Sequence, residues 1–166
     1  LLAVGGGSVL DGTKFIAAAT LFAGDPWSML ADNAPVEQAL PLGCVLTLPA
    51  TGSEMNGFSV ISRESNQEKR GFGSPHLYPQ FSILDPTTTF SLDDRQVANG
   101  IVDTFVHVME QYLTTPAQAP LQDRQAEAII LTLLEEAPKV RTIPKDYAVR
   151  ANLMWCATQG LNGLIG

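Results

Sequence analysis

An apolar run, Leu1-Leu2-Ala3-Val4, leads straight into Gly5-Gly6-Gly7-Ser8, and a helical pattern follows with Val9, Phe15, Ile16 and Leu21 among its apolar positions. A buried strand feeding a helix through glycines constrains the fold more than any other feature, because strands and helices in that succession build parallel α/β layers. Gly5-Gly6-Gly7 is predicted as a tight turn, and Ser8 as the cap of a helix running to about Ala23. Such a turn also suits a phosphate. Glycines let the backbone approach an anion, the first helical N–H groups point at it, and the helix dipole favours negative charge. Asp11 follows within the first turn. A plain strand-to-helix turn would look the same, and the spacing is not G-x-G-x-x-G, so the turn alone leaves both readings open.

The rest of the chain changes character once. Gly24 to Pro41 is rich in Pro, Asp and Asn and is predicted to be mostly loop. Cys44 to Leu48, Phe58 to Ser62 and Gln80 to Leu84 have strand length, and the polar stretch Glu64 to Gly73 suits a hairpin. From about Ser91 the period becomes helical. Ile101, Phe105, Val108, Met109 and Tyr112 recur on one face, and then Ala126, Ile129, Ile130, Leu133 and Leu134 do so after Pro120, with Pro138 as the stop. A last helix is predicted from about Asp146 to Leu164, with an interruption at Gly160. The expected architecture is α/β followed by all-α, with domains 1–90 and 91–166.

Composition excludes several classes. The 166 residues are 45% hydrophobic and 16% charged, as in a globular chain, and the net charge of -7 argues against nucleic acid and anionic membranes as partners. No uninterrupted apolar run of about 18 residues is present to span a membrane. Cys44 and Cys156 sit far apart in apolar runs and read as buried free thiols, which fits a cytoplasmic setting. The chain opens inside a strand-like run and stops inside another apolar run, Leu164-Ile165-Gly166, so an internal fragment is expected.

Two polar groupings remain. Thr51-Gly52-Ser53-Glu54-Met55-Asn56 follows the strand ending near Pro49 and could line a cofactor groove, or be an ordinary turn. Asp103 and His107 are four apart in a helical segment, so a carboxylate and an imidazole share one face and can both reach one divalent metal. From spacing alone, a solvated face is the commoner case. His76, in a polar loop, reads as a surface histidine.

Taken in order, Gly5 to Lys14 (GGGSVLDGTK), Leu48 to Glu54 (LPATGSE), Asp85-Pro86 and Gly100 to His107 (GIVDTFVH) resemble the iron-containing (group III) alcohol dehydrogenases. The branch of bacterial butanol dehydrogenases and broad-specificity NADPH-dependent aldehyde reductases looks nearest, and Ala151 to Trp155 and Leu161 to Gly166 also look like it. The resemblance implies part of a dinucleotide-binding parallel-sheet domain plus the first helices of a helical metal-binding domain, in a dehydroquinate synthase-like fold. It implies hydride transfer between NADP(H), or alternatively NAD(H), and a small aliphatic alcohol or aldehyde, with Fe2+ or Zn2+, in a homodimer. Asp103 and His107 are then two metal ligands, with further histidines expected after Gly166. Gly6, Gly7, Ser8 and Asp11 look like the pyrophosphate loop, and Thr47, Thr51, Ser53, Asn56 and Lys69 like nucleotide and nicotinamide contacts. The segment that separates NADP from NAD is expected before Leu1. Thr88 stands where that branch often carries an aromatic residue, a departure at one cofactor contact. An inactive remnant of such an enzyme, or a related lyase of the dehydroquinate synthase type, are the alternatives.

Overall fold

A computed structural model describes residues 1–114 and 118–165, so residues 115–117 and Gly166, which fall in the second predicted domain, lie outside the described residues. The chain forms two compact units. One comprises Leu1–Val45 and Ser53–Ile83, the other Leu46–Gly52 and Leu84–Gly166.

The first unit opens with strand β1, Leu2–Gly6, which passes without a break into helix α1, Gly7–Ala19. The predicted three-residue glycine turn is therefore absent: Gly5 and Gly6 are strand residues and Gly7 is the first residue of the helix. Gly5 explains how. A Cβ there would lie 2.6 Å from Cβ of Val9, so only glycine lets the first helical turn fold back directly on the strand end. Ser8 is not the cap either. That position belongs to Gly6, in extended conformation, and no side chain caps the helix. The helix also stops at Ala19, short of Ala23, and the chain then turns through Gly24 at φ +104°.

Strands β1, β2 (Gly43–Leu48) and β5 (Ser82–Ile83) form one sheet in the order β1-β2-β5. β2 and β5 are parallel, with Cys44 opposite Ser82 and Val45 opposite Ile83. β5 is shorter than Gln80 to Leu84 at both ends, and past its C-terminal end the Asp85 carboxylate accepts from the Thr87 N–H at 2.9 Å and starts a 3₁₀ turn, Pro86–Thr89. β3 (Phe58–Arg63) and β4 (Glu68–Gly73) form an antiparallel hairpin, so Glu64 to Gly73 supplies only its turn and second strand and not a hairpin of its own. The Pro- and Asp-rich stretch holds one short helix, α2, Ser28–Ala31, whose Met29 and Leu30 join Ala18, Phe72 and Leu77 in this unit's core.

The second unit is helical. α3 (Asp94–Tyr112) and α6 (Tyr147–Gly160) are capped by Asp93 and Asp146, whose carboxylates accept from Gln96 N–H at 2.8 Å and Val149 N–H at 2.9 Å. α4 (Pro120–Glu136) starts on a proline. Pro138 lies past its end and opens a short helix, α5, Lys139–Thr142. α6 ends at Gly160 and does not run on to Leu164. Val108, Ala126, Leu133, Leu153 and Cys156 centre the core. The buried stripe of α3 is Val97, Gly100, Thr104 and Val108, and Ile101 and Phe105 flank it. Tyr112 is outside it, its hydroxyl donating to Glu127 at 3.0 Å, and Leu134 of α4 is exposed.

Gly100 fixes how α3 packs within this unit. A Cβ there would stand 2.5 Å from the Pro49 carbonyl oxygen, a backbone atom that cannot swing aside. Gly100→Ala is therefore expected to destabilise the protein by about 2 kcal/mol, read from a denaturant midpoint. An unchanged midpoint would show that the approach is not close.

Candidate functional site

The N-terminus of α1 lacks a side-chain cap. Its first N–H groups have no intrahelical acceptor, and no acidic residue lies in the first turn. Gly7 is buried, Gly6 half-buried and Ser8 exposed, so Ser8 is the residue of this turn that faces solvent.

One turn further in, the same helix is locked to the segment that follows β2. Asp11 accepts from Ser53 Oγ at 2.7 Å and, through its other carboxylate oxygen, from the Val60 N–H at 2.9 Å, and its carbonyl accepts from Ser59 Oγ at 3.0 Å. Lys14 is fully buried. Its Nζ donates to the Asn56 carbonyl at 2.8 Å, to Asn56 Oδ1 at 3.1 Å and to the Phe58 carbonyl at 2.8 Å. Asn56 Oδ1 also accepts from the Phe58 N–H at 3.0 Å. The structure thus brings Ser53 to Asp11 and Asn56 to Lys14, and both Ser53 and Asn56 are buried. Thr47 and Thr51 belong to the second unit and are half-buried there. Lys69 is exposed on β4, opposite Ser62. Thr88, the departure from the family pattern, donates to the Leu46 carbonyl at 2.7 Å and so tethers the end of β2.

Lys14 was not singled out from sequence. The signal was present: Leu10, Lys14 and Ala17 fall at helical spacing on the buried stripe of α1. Burial pushes its ammonium from the usual 10.5 down to about 8, against the opposing pull of Asp11 and Glu54. Between those two values the unfolded chain binds more protons than the folded one. Stability is therefore expected to rise with pH across that window, by about 3 kcal/mol, and to be lost again as pH falls to about 8. Denaturation at either end of the window checks this, and Lys14→Met should flatten the difference. An equal slope in that variant would mean that another group carries it.

In the second unit, α3 presents Asp103 and His107 one turn apart. His107 Nδ1 lies 3.9 Å from Asp103 Oδ2, too far for a hydrogen bond. That nitrogen is buried and has no hydrogen-bond partner among the described residues. The imidazole is 23% exposed and the carboxylate 45%, so both remain reachable. An orphaned ring nitrogen beside a carboxylate is what a shared cation would satisfy, and an oxygen–nitrogen donor pair suits Fe2+ or Zn2+. Gln111, a further turn along, donates from Nε2 to the carbonyls of His107 and Gly160, each at 2.7 Å, and ties the end of α6 to the backbone under the imidazole. Among the described residues no group of three or more His, Cys, Asp or Glu could hold a metal. His76 is exposed in a 3₁₀ turn of the first unit. Cys44 and Cys156 are buried free thiols, and burial raises both, Cys156 to about 11, so neither is a ready nucleophile.

In comparison with known proteins, both units match one family. Residues 1–86 match the model of the iron-containing alcohol dehydrogenases, and residues 97–164 match that of the C-terminal part of the Fe-containing alcohol dehydrogenase family. The chain is 59% identical, over its whole length, to the NADPH-dependent aldehyde reductase YqhD of Escherichia coli K12, of which it spans 44%. It is 41% identical to the NADH-dependent butanol dehydrogenase B of Clostridium acetobutylicum, covering 99% of this chain and 42% of that one. Among solved structures, that of E. coli YqhD superposes with a TM-score of 0.97 at 58% identity, over 100% of this chain and 43% of that one. Butanol dehydrogenase A of Thermotoga maritima superposes at 0.95 and 42% identity, over 99% and 41%. The chain thus spans under half the length of these relatives.

Proposed function

This chain belongs to the iron-containing alcohol dehydrogenase family, whose fold is dehydroquinate synthase-like, and on that premise we propose that the whole protein transfers a hydride between a nicotinamide dinucleotide and a small aliphatic alcohol or aldehyde. The observation that carries the proposal is the 59% identity, over the whole chain, to an NADPH-dependent aldehyde reductase. Residues 1–90 form part of the dinucleotide-binding domain, and 91–166 the first part of the metal-binding one.

When bound, the dinucleotide supplies the hydride, and the metal a Lewis acid for the substrate oxygen. The chain's own residues do the rest. The amides of Gly7 and Ser8, with Gly6, would hold the pyrophosphate at the end of α1. Asp11, whose carboxylate is turned to Ser53 and Val60, orders the adjoining segment. Thr47, Thr51, Ser53, Asn56 and Lys69 contact the nucleotide and nicotinamide halves. Asp103 and His107 serve as two metal ligands, Fe2+ or Zn2+, and the remaining ligands come from elsewhere in the whole protein. The reading also carries a homodimer and a cytoplasmic location. No described helix is long and apolar enough to cross a membrane.

NADP(H) is the proposed cofactor, since the reductase just cited is named for NADPH. The butanol dehydrogenase is named for NADH, so the whole protein decides. In butanal reduction, kcat/KM is expected to be about tenfold or more higher with NADPH, a difference that one charge-assisted hydrogen bond to the 2′-phosphate can supply. A preference for NADH would reverse the assignment, and no butanal reduction with either would remove the proposed activity.

A further inference from the structure

β3 has two edges. One pairs with β4, from Phe58 opposite Gly73 to Arg63 opposite Glu68. Along the other, successive residues turn their backbone groups alternately toward and away from a neighbour, and Phe58 and Val60 turn theirs to α1. The neighbour is two side chains. Lys14 donates to the Phe58 carbonyl at 2.8 Å, and Asp11 accepts from the Val60 N–H at 2.9 Å. The same two side chains reach Asn56 and Ser53, so every residue of this grip on the 53–60 segment hangs from one face of the helix whose first turn is the anion site. The buried ammonium has three oxygen acceptors, all of them within Asn56 and Phe58.

We propose that Lys14, with Asp11 one turn before it, is a positioning residue that couples the pyrophosphate end of α1 to the Ser53–Asn56 segment, so that anchoring the pyrophosphate orders the contacts of the nicotinamide half. The proposal rests on the nucleotide reading given above. A bound pyrophosphate pulls on the open amides of Gly7 and Ser8 and stiffens the first turns of α1. Asp11 and Lys14 are fixed with them, and their partners in the 53–60 segment lose freedom before the nicotinamide half arrives. The dinucleotide then meets an ordered segment, whereas a ligand with the pyrophosphate alone gains nothing from that order.

The test uses the whole protein and two ligands: the reduced dinucleotide, and ADP, which carries the pyrophosphate without the nicotinamide. Lys14→Met is expected to raise the dissociation constant of the dinucleotide about tenfold or more and that of ADP less than about twofold, as the loss of charge-assisted bonds on one side of the coupling requires. Equal weakening of both, or no weakening of either, would overturn the proposal. A purely structural lysine gives the first of those results. Should the variant not fold, hydrogen exchange in the unaltered protein answers the same question. Adding ADP alone should slow exchange at the Phe58 and Val60 amides, and unchanged exchange there would overturn the coupling. If the unaltered protein binds the dinucleotide but ADP binding survives Ser8→Asp undiminished, the nucleotide reading itself fails and this inference goes with it.

Discussion

His107→Ala in the whole protein is expected to lower both metal affinity and turnover by about 10²-fold or more, since even residues behind a metal ligand typically cost 10–100-fold when removed. The side chain makes no hydrogen bond among the described residues that its loss would break, and its Nδ1 is the orphaned atom of α3. The packing of that helix rests on Val97, Gly100, Thr104 and Val108, which the substitution leaves in place. The fold should therefore survive, with a melting midpoint equal to that of the unaltered protein when both are stripped of metal, while bound metal is lost. Glu110→Ala serves as the comparison, because Glu110 is exposed on the same helix and has no assigned role. It should keep its metal and its rate. Metal content by elemental analysis, alongside kcat for butanal, separates the two. Full metal occupancy in the His107 variant would remove that residue from the ligand set.

Ser8→Asp should act in the opposite sense on stability and on binding. A carboxylate in the first turn of α1 would meet the open N–H groups and the positive end of the helix dipole, adding about 0.5 kcal/mol of helix stability. The same charge would sit beside the pyrophosphate. At about 5 Å and an effective dielectric near 20, one such repulsion costs about 3 kcal/mol, or about 10²-fold in affinity. The absence of a native cap at Gly6 and of an acidic residue in the first turn is what makes the effect large. Titration of the dinucleotide, with a thermal melt of the same sample, gives both quantities. A melt that holds or rises while affinity falls supports the anion site. Unchanged affinity would place the pyrophosphate elsewhere.

Periodicity made α3, α4 and α6 legible in the sequence, and with α3 came the placement of Asp103 and His107 one turn apart, which helix geometry alone sets. The opening strand was legible from its apolar run, but it is not buried as expected: Leu2 and Val4 are exposed and Ala3 is buried. What the sequence reading missed depended partly on close contacts between near neighbours and partly on residues far apart in sequence. Ser8 is a good capping residue by type, yet Gly6 takes the cap because Gly5 lets Val9 close directly over the strand end. Gln80 to Leu84 has strand character, but the strand is only Ser82–Ile83, with the turn that Asp85 starts beyond it. Lysine is seldom fully buried unless partnered, and the partners of Lys14 lie 42 to 44 residues away. Gln111 reaches Gly160 across 49 residues, a link that no local pattern announces.

The central claim is that these residues belong to a metal-dependent, nicotinamide-dependent alcohol dehydrogenase with Asp103 and His107 among the ligands. Butanal-dependent oxidation of NADPH by the whole protein, followed before and after chelation and again after metal is restored, tests it most directly. Turnover should vanish on chelation and return with Fe2+ or Zn2+, but not return in the Asp103→Ala, His107→Ala double variant. A rate that survives complete metal removal, or that metal restores equally in the double variant, would contradict the claim.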